Sequence, residues 1–381
     1  MDVSPTQAVI EHDAREDIGR TLLGDILEIG PGNAPFPTAP GARVTYADRS
    51  VDGGRDATWP ELVGQPRGPE SDLDLDLDVN GLGVIADKAF DAVIASHMIE
   101  HLANPIEALC EIERVLRPGG RLVLVVPDRT RTFDAVRQPT PLAHLLDDFE
   151  RHVTEVDADH IAEFCEAIFH QPPIHPDEVR AWYDPAHLDE ARVDLHRRRS
   201  IHVHCWTPEE FAAVMAALLA RGIVSWDLVD LYFFDDPGAV DNEFGFVLER
   251  PPAPETPREQ SEAFVRRWAS RVLERPTRDA RRLVALHAAL LSNLTSVDEL
   301  ASCALVLGEI VGDELVRSRQ AAASFQEGLS ATTAVTTQLA ARLRDADEQL
   351  TGILRSRSYR LSRVLSAGLQ LMRHMTRRSA T

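Results

Sequence analysis

Apolar positions fall into two rhythms along the chain. Up to about residue 250, short apolar runs recur: DILEI (25–29), RVTYAD (43–48), DLDLDLDV (72–79), DAVIAS (91–96), RLVLVVP (121–127), WDLVDLYFF (226–234) and EFGFVLER (243–250). Helix-period stretches separate them, which is the alternation of a parallel sheet with crossover helices. The last two runs flank the turn-rich DDPGAVDN and read as an antiparallel return. The pattern predicts an α/β fold, a doubly wound, mostly parallel seven-stranded sheet over residues 1–250. Between 129 and 200 lies an insertion longer than a crossover needs, with helical patterning in PLAHLLDDFERHVTEVDADHIAEFCEAIF. Residues 251–259 are proline-rich and read as a linker, and 260–381 read as helical, with a heptad register drawn through 322–353.

The first apolar run ends in Glu28-Ile29-Gly30-Pro31-Gly32-Asn33-Ala34. Ligands of open α/β sheets bind at the carboxyl ends of the strands, and glycines there let the backbone approach a ligand closely. The dinucleotide pattern G-x-G-x-x-G would require glycine where Pro35 stands. The pattern acid-x-G-x-G-x-G differs only at Ala34. Asp48, closing the second run, stands near the spacing at which an acid grips ribose hydroxyls.

Composition removes several function classes. With 40 basic and 61 acidic residues the formal charge is −21, so a phosphate backbone is not an expected partner. Cys110, Cys165, Cys205 and Cys303 have no C-x-x-C spacing and fit buried thiols rather than a disulfide framework or zinc site. No apolar run reaches the ~18 residues of a membrane span, and the acidic N-terminus lacks a leader pattern; a cytoplasmic protein is expected, at most peripheral to the inner membrane face.

FDAVIASHMIEHLANPIEALCEIERVLRPGGRLVLVVPDR (90–129), taken with EIGPGNA and VTYADRS, resembles class I S-adenosylmethionine-dependent methyltransferases. The resemblance covers roughly 20–130 and, more loosely, extends to 250. It implies S-adenosyl-L-methionine as cofactor, with Glu28, Gly30 and Gly32 at its methionine end, Asp48 on the ribose, and Asp78 facing the adenine. Ser96 and His97 would then flank the transferable methyl.

A sulfonium methyl is already activated, so the enzyme must align a nucleophile and, for a hydroxyl, remove its proton. His97 is the best-placed base. His101, in the E-H-L turn, fits a helix start or a packing role equally well. SIHVHCWTPEEF (200–211) adds His202 and His204, which on a strand would share a cleft-facing side, before a helix opened by Thr207-Pro208. Their i, i+2 spacing could ligate a metal with a carboxylate from elsewhere, but substrate contacts or a structural histidine account for the same residues and no metal is assigned. Asp72, Asp74, Asp76 and Asp78 do not form a calcium loop, since Val79 and Ile85 occupy the glycine and glutamate positions.

The segment ILRSRSYRLSRVLSAGLQLMRHMTRR resembles tails of bacterial enzymes that build surface polysaccharides. It tilts the acceptor toward a sugar hydroxyl of a glycan or glycolipid. Residues 354–381 are basic and amphipathic, suited to peripheral contact with an anionic membrane, and the heptads suit a homo-oligomer. The alternatives are a silent methyltransferase-fold scaffold subunit and a nicotinamide-dependent oxidoreductase, the latter opposed by Pro35. A rise in melting temperature with S-adenosylhomocysteine, with NAD or with neither separates the three.

Overall fold

The computed structural model describes residues 13–49, 64, 67–170, 181–236, 238–253, 255–275, 280–293 and 297–328. The heptad register beyond 328 and the basic segment 354–381 lie outside them.

Seven strands form one sheet: β1 (Asp25–Ile29), β2 (Arg43–Asp48), β3 (Leu73–Asp74), β4 (Phe90–Ser96), β5 (Leu116–Pro127), β6 (Asp227–Tyr232) and β7 (Glu243–Glu249). Their order is β3-β2-β1-β4-β5-β7-β6, with β7 antiparallel to both its neighbours and the other pairings parallel. Helices α1 (Ala14–Gly19), α2 (Pro105–Val115), α3 (Leu142–Glu150), α4 (Ala158–Phe169), α5 (Glu190–Arg199), α6 (Pro208–Ala220) and α7 (Pro257–Glu274) surround or extend it; α8 (Ala280–Ser292) and α9 (Val297–Gly328) follow. The chain divides into two compact units, 1–278 with 285–307, and 279–284 with 308–381. In the second unit the described residues are helical.

Strand periodicity sorts the core onto two faces. Ile26, Ile94, Val123 and Val125 pack with Leu22 and Phe36 on one. On β7, Phe244 and Phe246 meet Phe211 of α6, and Phe246 stacks on Phe264 of α7 with ring centroids 6.3 Å apart. Burying such a ring is worth roughly 1.5–3 kcal/mol. Helix α7, beyond the proline-rich connection, is also held by Ser261 Oγ donating to the Ala216 carbonyl at 2.7 Å.

Two sequence expectations are corrected. The run 72–79 is not one strand: only Leu73–Asp74 pair with β2. Asp76 Oδ1 accepts the N–H groups of Asp78 and Val79 at 3.1 and 3.3 Å, and this local side-chain turn competes with the edge ladder and ends it. The passage from β1 to β2 has no helix either, because Pro31, Pro35, Pro37 and Pro40 deny the donors and the backbone space a helix needs.

The insertion is helical and has its own apolar core. Ile161, Phe164, Cys165 and Ile168 of α4 pack with Tyr183, Ile201 and Val203 into a core of their own. At its end Thr207 and Glu210 form a reciprocal capping box over Pro208. Thr207→Ala should therefore lower stability by about 1 kcal/mol. A shifted denaturation midpoint at unchanged slope checks this.

Candidate active site

The register of β1 sets Ile29 beside Ala47 of β2 and Ala95 of β4, so Gly30, Asp48 and Ser96 emerge together at one sheet edge. They open onto a cleft of about 1070 Å³, lined also by Glu28, Gly32, Asp78 and His97 and, from the insertion, by Thr154, Arg197, Arg199 and Ser200. Gly30 and Gly32 have φ of +66° and +54°, and a Cβ on either would meet nothing within 4 Å, so the backbone itself forms the wall here. Gly68 closes over this loop so tightly that a Cβ on it would lie 1.7 Å from the Gly32 carbonyl oxygen.

Glu28 is 1% exposed. Its Oε1 accepts the Phe36 N–H at 2.7 Å, while Oε2 is buried without a partner. Burial, opposed by that bond and by Arg15, pushes the carboxyl up to about 7. Burial likewise raises Asp48, whose Oδ1 takes the Arg49 N–H, and raises Asp78 to about 6 despite the N–H of Ala103 on its Oδ1. Asp78 lies in the turn after β3 rather than at a strand end.

His97 follows β4 with φ of +51°, in the left-handed region. Its Nε2–H donates to Glu243 Oε2 at 2.9 Å. Glu243, opening β7, is 1% exposed and also receives Arg15 Nε and Tyr232 Oη, each at 2.8 Å. Burial would raise this carboxyl, but the bonds from His97, Arg15 and Tyr232 hold it at about 2. The ionised partner in turn raises His97 against the opposing effect of burial.

His202 and His204 do not share a cleft-facing strand side. Residues 201–205 belong to no strand and are anchored by Val203 and His204 N–H donating to the Glu100 carbonyl. Arg137, buried, donates from Nη1 to the His202 carbonyl at 2.7 Å and from Nη2 to that of Val203 at 3.0 Å, while ion-pairing with Asp134 and Glu163. His202 Nδ1 donates to Asp134 Oδ2 at 2.6 Å. His204 is fully buried, neither ring nitrogen has a partner, and its ring lies near those of His144 and His160. His144, Asp148 and His204 each offer one ligand atom within 4.8 Å of the others.

The strand order and the glycine turn at the edge of β1 are joined by a match of residues 27–124 to the family model described as a methyltransferase domain. Residues 27–124 carry a methyltransferase domain. Its cofactor is S-adenosyl-L-methionine, and the cradle fits: open backbone at two glycines, an orphaned buried carboxylate oxygen for a cationic group, and Asp48 at the next strand end.

Among curated proteins, a 37.1 kDa protein of a Streptomyces fradiae transposon is 37% identical over 71 residues, covering 19% of each chain. A ubiquinone biosynthesis O-methyltransferase of Xanthomonas oryzae is 32% identical over 113 residues, 28% of this chain and 44% of that one. The chain thus spans less than half the length of either relative. Among solved structures, a methyltransferase from Bacillus halodurans is 14% identical with a TM-score of 0.31, covering 62% of this chain and 96% of its own. A Methanosarcina mazei S-adenosylmethionine-dependent methyltransferase is 15% identical with a TM-score of 0.31, covering 60% and 93%.

Sequence reading missed Glu243, Arg15, Asp134 and Arg137. An acid opening the apolar run EFGFVLE was the one visible signal. Gly68→Ala should lift its segment off the glycine loop and weaken S-adenosylhomocysteine binding about tenfold, ~1.4 kcal/mol, read by calorimetry beside an unchanged circular dichroism spectrum.

Because the Glu28 pKa is raised from 4.5 to about 7, the folded protein holds this proton between those values, and its stability from Glu28 is lost as pH rises through 7. A cationic cofactor group beside Oε2 should expel the proton. At pH ~6.5, binding heats in buffers of different ionisation enthalpy should then differ, and Glu28→Gln should remove the difference.

Proposed function

We propose that the protein is an S-adenosylmethionine-dependent O-methyltransferase acting on a sugar hydroxyl of a glycan or glycolipid. The observation that carries this reading is the insertion's part of the cleft wall: Thr154, Glu155, Arg197, Arg199 and Ser200 contribute to it, and no Phe, Tyr or Trp lines the cleft among the described residues. Hydroxyl-rich acceptors are recognised by hydrogen-bond donors and acceptors of this kind, whereas a flat aromatic acceptor calls for apolar and aromatic walls.

The bound cofactor supplies a methyl already activated on a sulfonium. The chain's own task is alignment, exclusion of water and removal of one proton. His97 takes that proton at Nδ1, since its Nε2–H is spent on Glu243, and the ionised Glu243 stabilises the imidazolium that results. Arg49 donates to the Arg198 carbonyl and so ties the end of β2 to the insertion that supplies the acceptor wall. Glu155 and Arg197 hold each other at 2.7 Å across that wall. A glycolipid acceptor would also give the basic segment 354–381 a role at an anionic membrane, and the heptads a role in self-association.

An acceptor screen of nucleotide sugars and glycan fragments with methyl-labelled cofactor tests the reading. Label should appear on a sugar oxygen, and His97→Ala should cut turnover by ~10²-fold or more while S-adenosylhomocysteine affinity stays within about twofold. Label on nitrogen or carbon, or a fully active His97→Ala, would overturn it.

A further inference from the structure

Glu100 presents a problem that the methyl-transfer reading does not use. It is 0% exposed, and neither carboxylate oxygen has a hydrogen-bond partner. Leaving a buried polar group unpaired costs roughly 1–3 kcal/mol, more when it is charged. Its neighbours are imidazole nitrogens: His97 Nδ1 and His101 Nε2 each stand 3.6 Å from Oε1, too far for hydrogen bonds.

The tautomers of those rings are set from behind. His101 Nδ1 lies 2.9 Å from the Ile201 carbonyl, which can only accept, so Nδ1 carries the hydrogen and Nε2 turns its lone pair toward Glu100. His202 Nδ1 is bonded to Asp134, leaving Nε2 as its free ligand atom. Its ring centroid is 4.8 Å from that of His101 in an edge-on arrangement. One ligand atom each from Glu100, His101 and His202 lies within 4.8 Å of the other two. Acceptors converging in a partly buried place, each ring backed by an oxygen acceptor, form the arrangement in which outer carboxylates and carbonyls orient histidine ligands toward a cation.

We propose that Glu100, His101 and His202 bind a divalent transition-metal ion at the edge of the methyl-transfer cleft, with Asp134 and the Ile201 carbonyl orienting the two rings. Two imidazoles and one carboxylate suit zinc, iron(II), cobalt(II) or manganese(II) rather than magnesium. A three-ligand set leaves coordination positions open. His101 lines the cleft, so on the methyl-transfer reading an acceptor oxygen can fill one of them and become more acidic beside His97.

The experiment is titration of the full-length, chelator-treated protein with Co²⁺, followed by visible d–d absorption and by bound equivalents after dialysis. His144, Asp148 and His204 form another cluster, so the readout is the difference between wild type and variants. His202→Ala and Glu100→Gln should each bind one equivalent fewer, and Asp134→Asn should weaken that equivalent by about 10–100-fold. Zn²⁺ should displace the cobalt. S-adenosylhomocysteine calorimetry on the same preparations shows whether each variant is folded and tests the methyltransferase reading separately. A wild type that binds no Co²⁺, or a folded His202→Ala with unchanged equivalents and spectrum, overturns the proposal.

Discussion

The site depends first on the side-by-side parallel pairing of β1 with β4. That ladder places Ile29 next to Ala95, so the glycine turn and the Ser96-His97 corner leave the sheet at the same edge. Each backbone then continues under restraint, Gly30 N–H donating to Ala47 and His97 N–H to Val125, at 2.8 and 2.9 Å. A one-residue slip would turn every side chain of β1 to the opposite face and bury the wrong groups. The cleft is thus a consequence of register, and register is enforced by the apolar residues on both faces of the strands.

A second constraint ties the insertion to this edge. Arg137 is a buried cation whose donors go to two carboxylates and to two carbonyls of the His202–Val203 segment. A guanidinium out of water is tolerable only with its donors satisfied, and a pair broken on one side costs roughly 3–5 kcal/mol. The same requirement that keeps Arg137 paired therefore pins the backbone carrying His202. Glu243 works in the same way from β7, gathering Arg15, Tyr232 and His97 around one ionised carboxylate. Its neighbour Gly245 has no side chain because the Tyr232 ring lies where a Cβ would be, 2.0 Å from Cε1.

The cleft therefore has two electrostatic halves. On the cofactor side, carboxyls are raised by burial, Glu28 to about 7 and Asp78 to about 6, and await a cationic or hydrogen-bonding ligand. On the histidine side, Glu243 at about 2 is fully ionised and the rings are oriented from behind by Glu243, Asp134 and the Ile201 carbonyl. No helix of the described residues is long and apolar enough to cross a membrane.

Local chemistry made much of this legible in the sequence. Short apolar runs defined the strands, the glycines and Glu28 marked the end of β1, and Thr207-Pro208 with Glu210 marked a helix start, because each signal acts over a few adjacent residues. The run 72–79 misled because its alternation was real, whereas the Asp76 turn that ends β3 won a competition that periodicity does not register. The partners of the histidines came only from tertiary structure. Asp134 and His202 are 68 residues apart in sequence, and His97 and Glu243 are 146 apart. No spacing rule reaches across such distances; the fold brings these groups together because buried charges and imidazoles must find partners wherever the sheet and the insertion core place them.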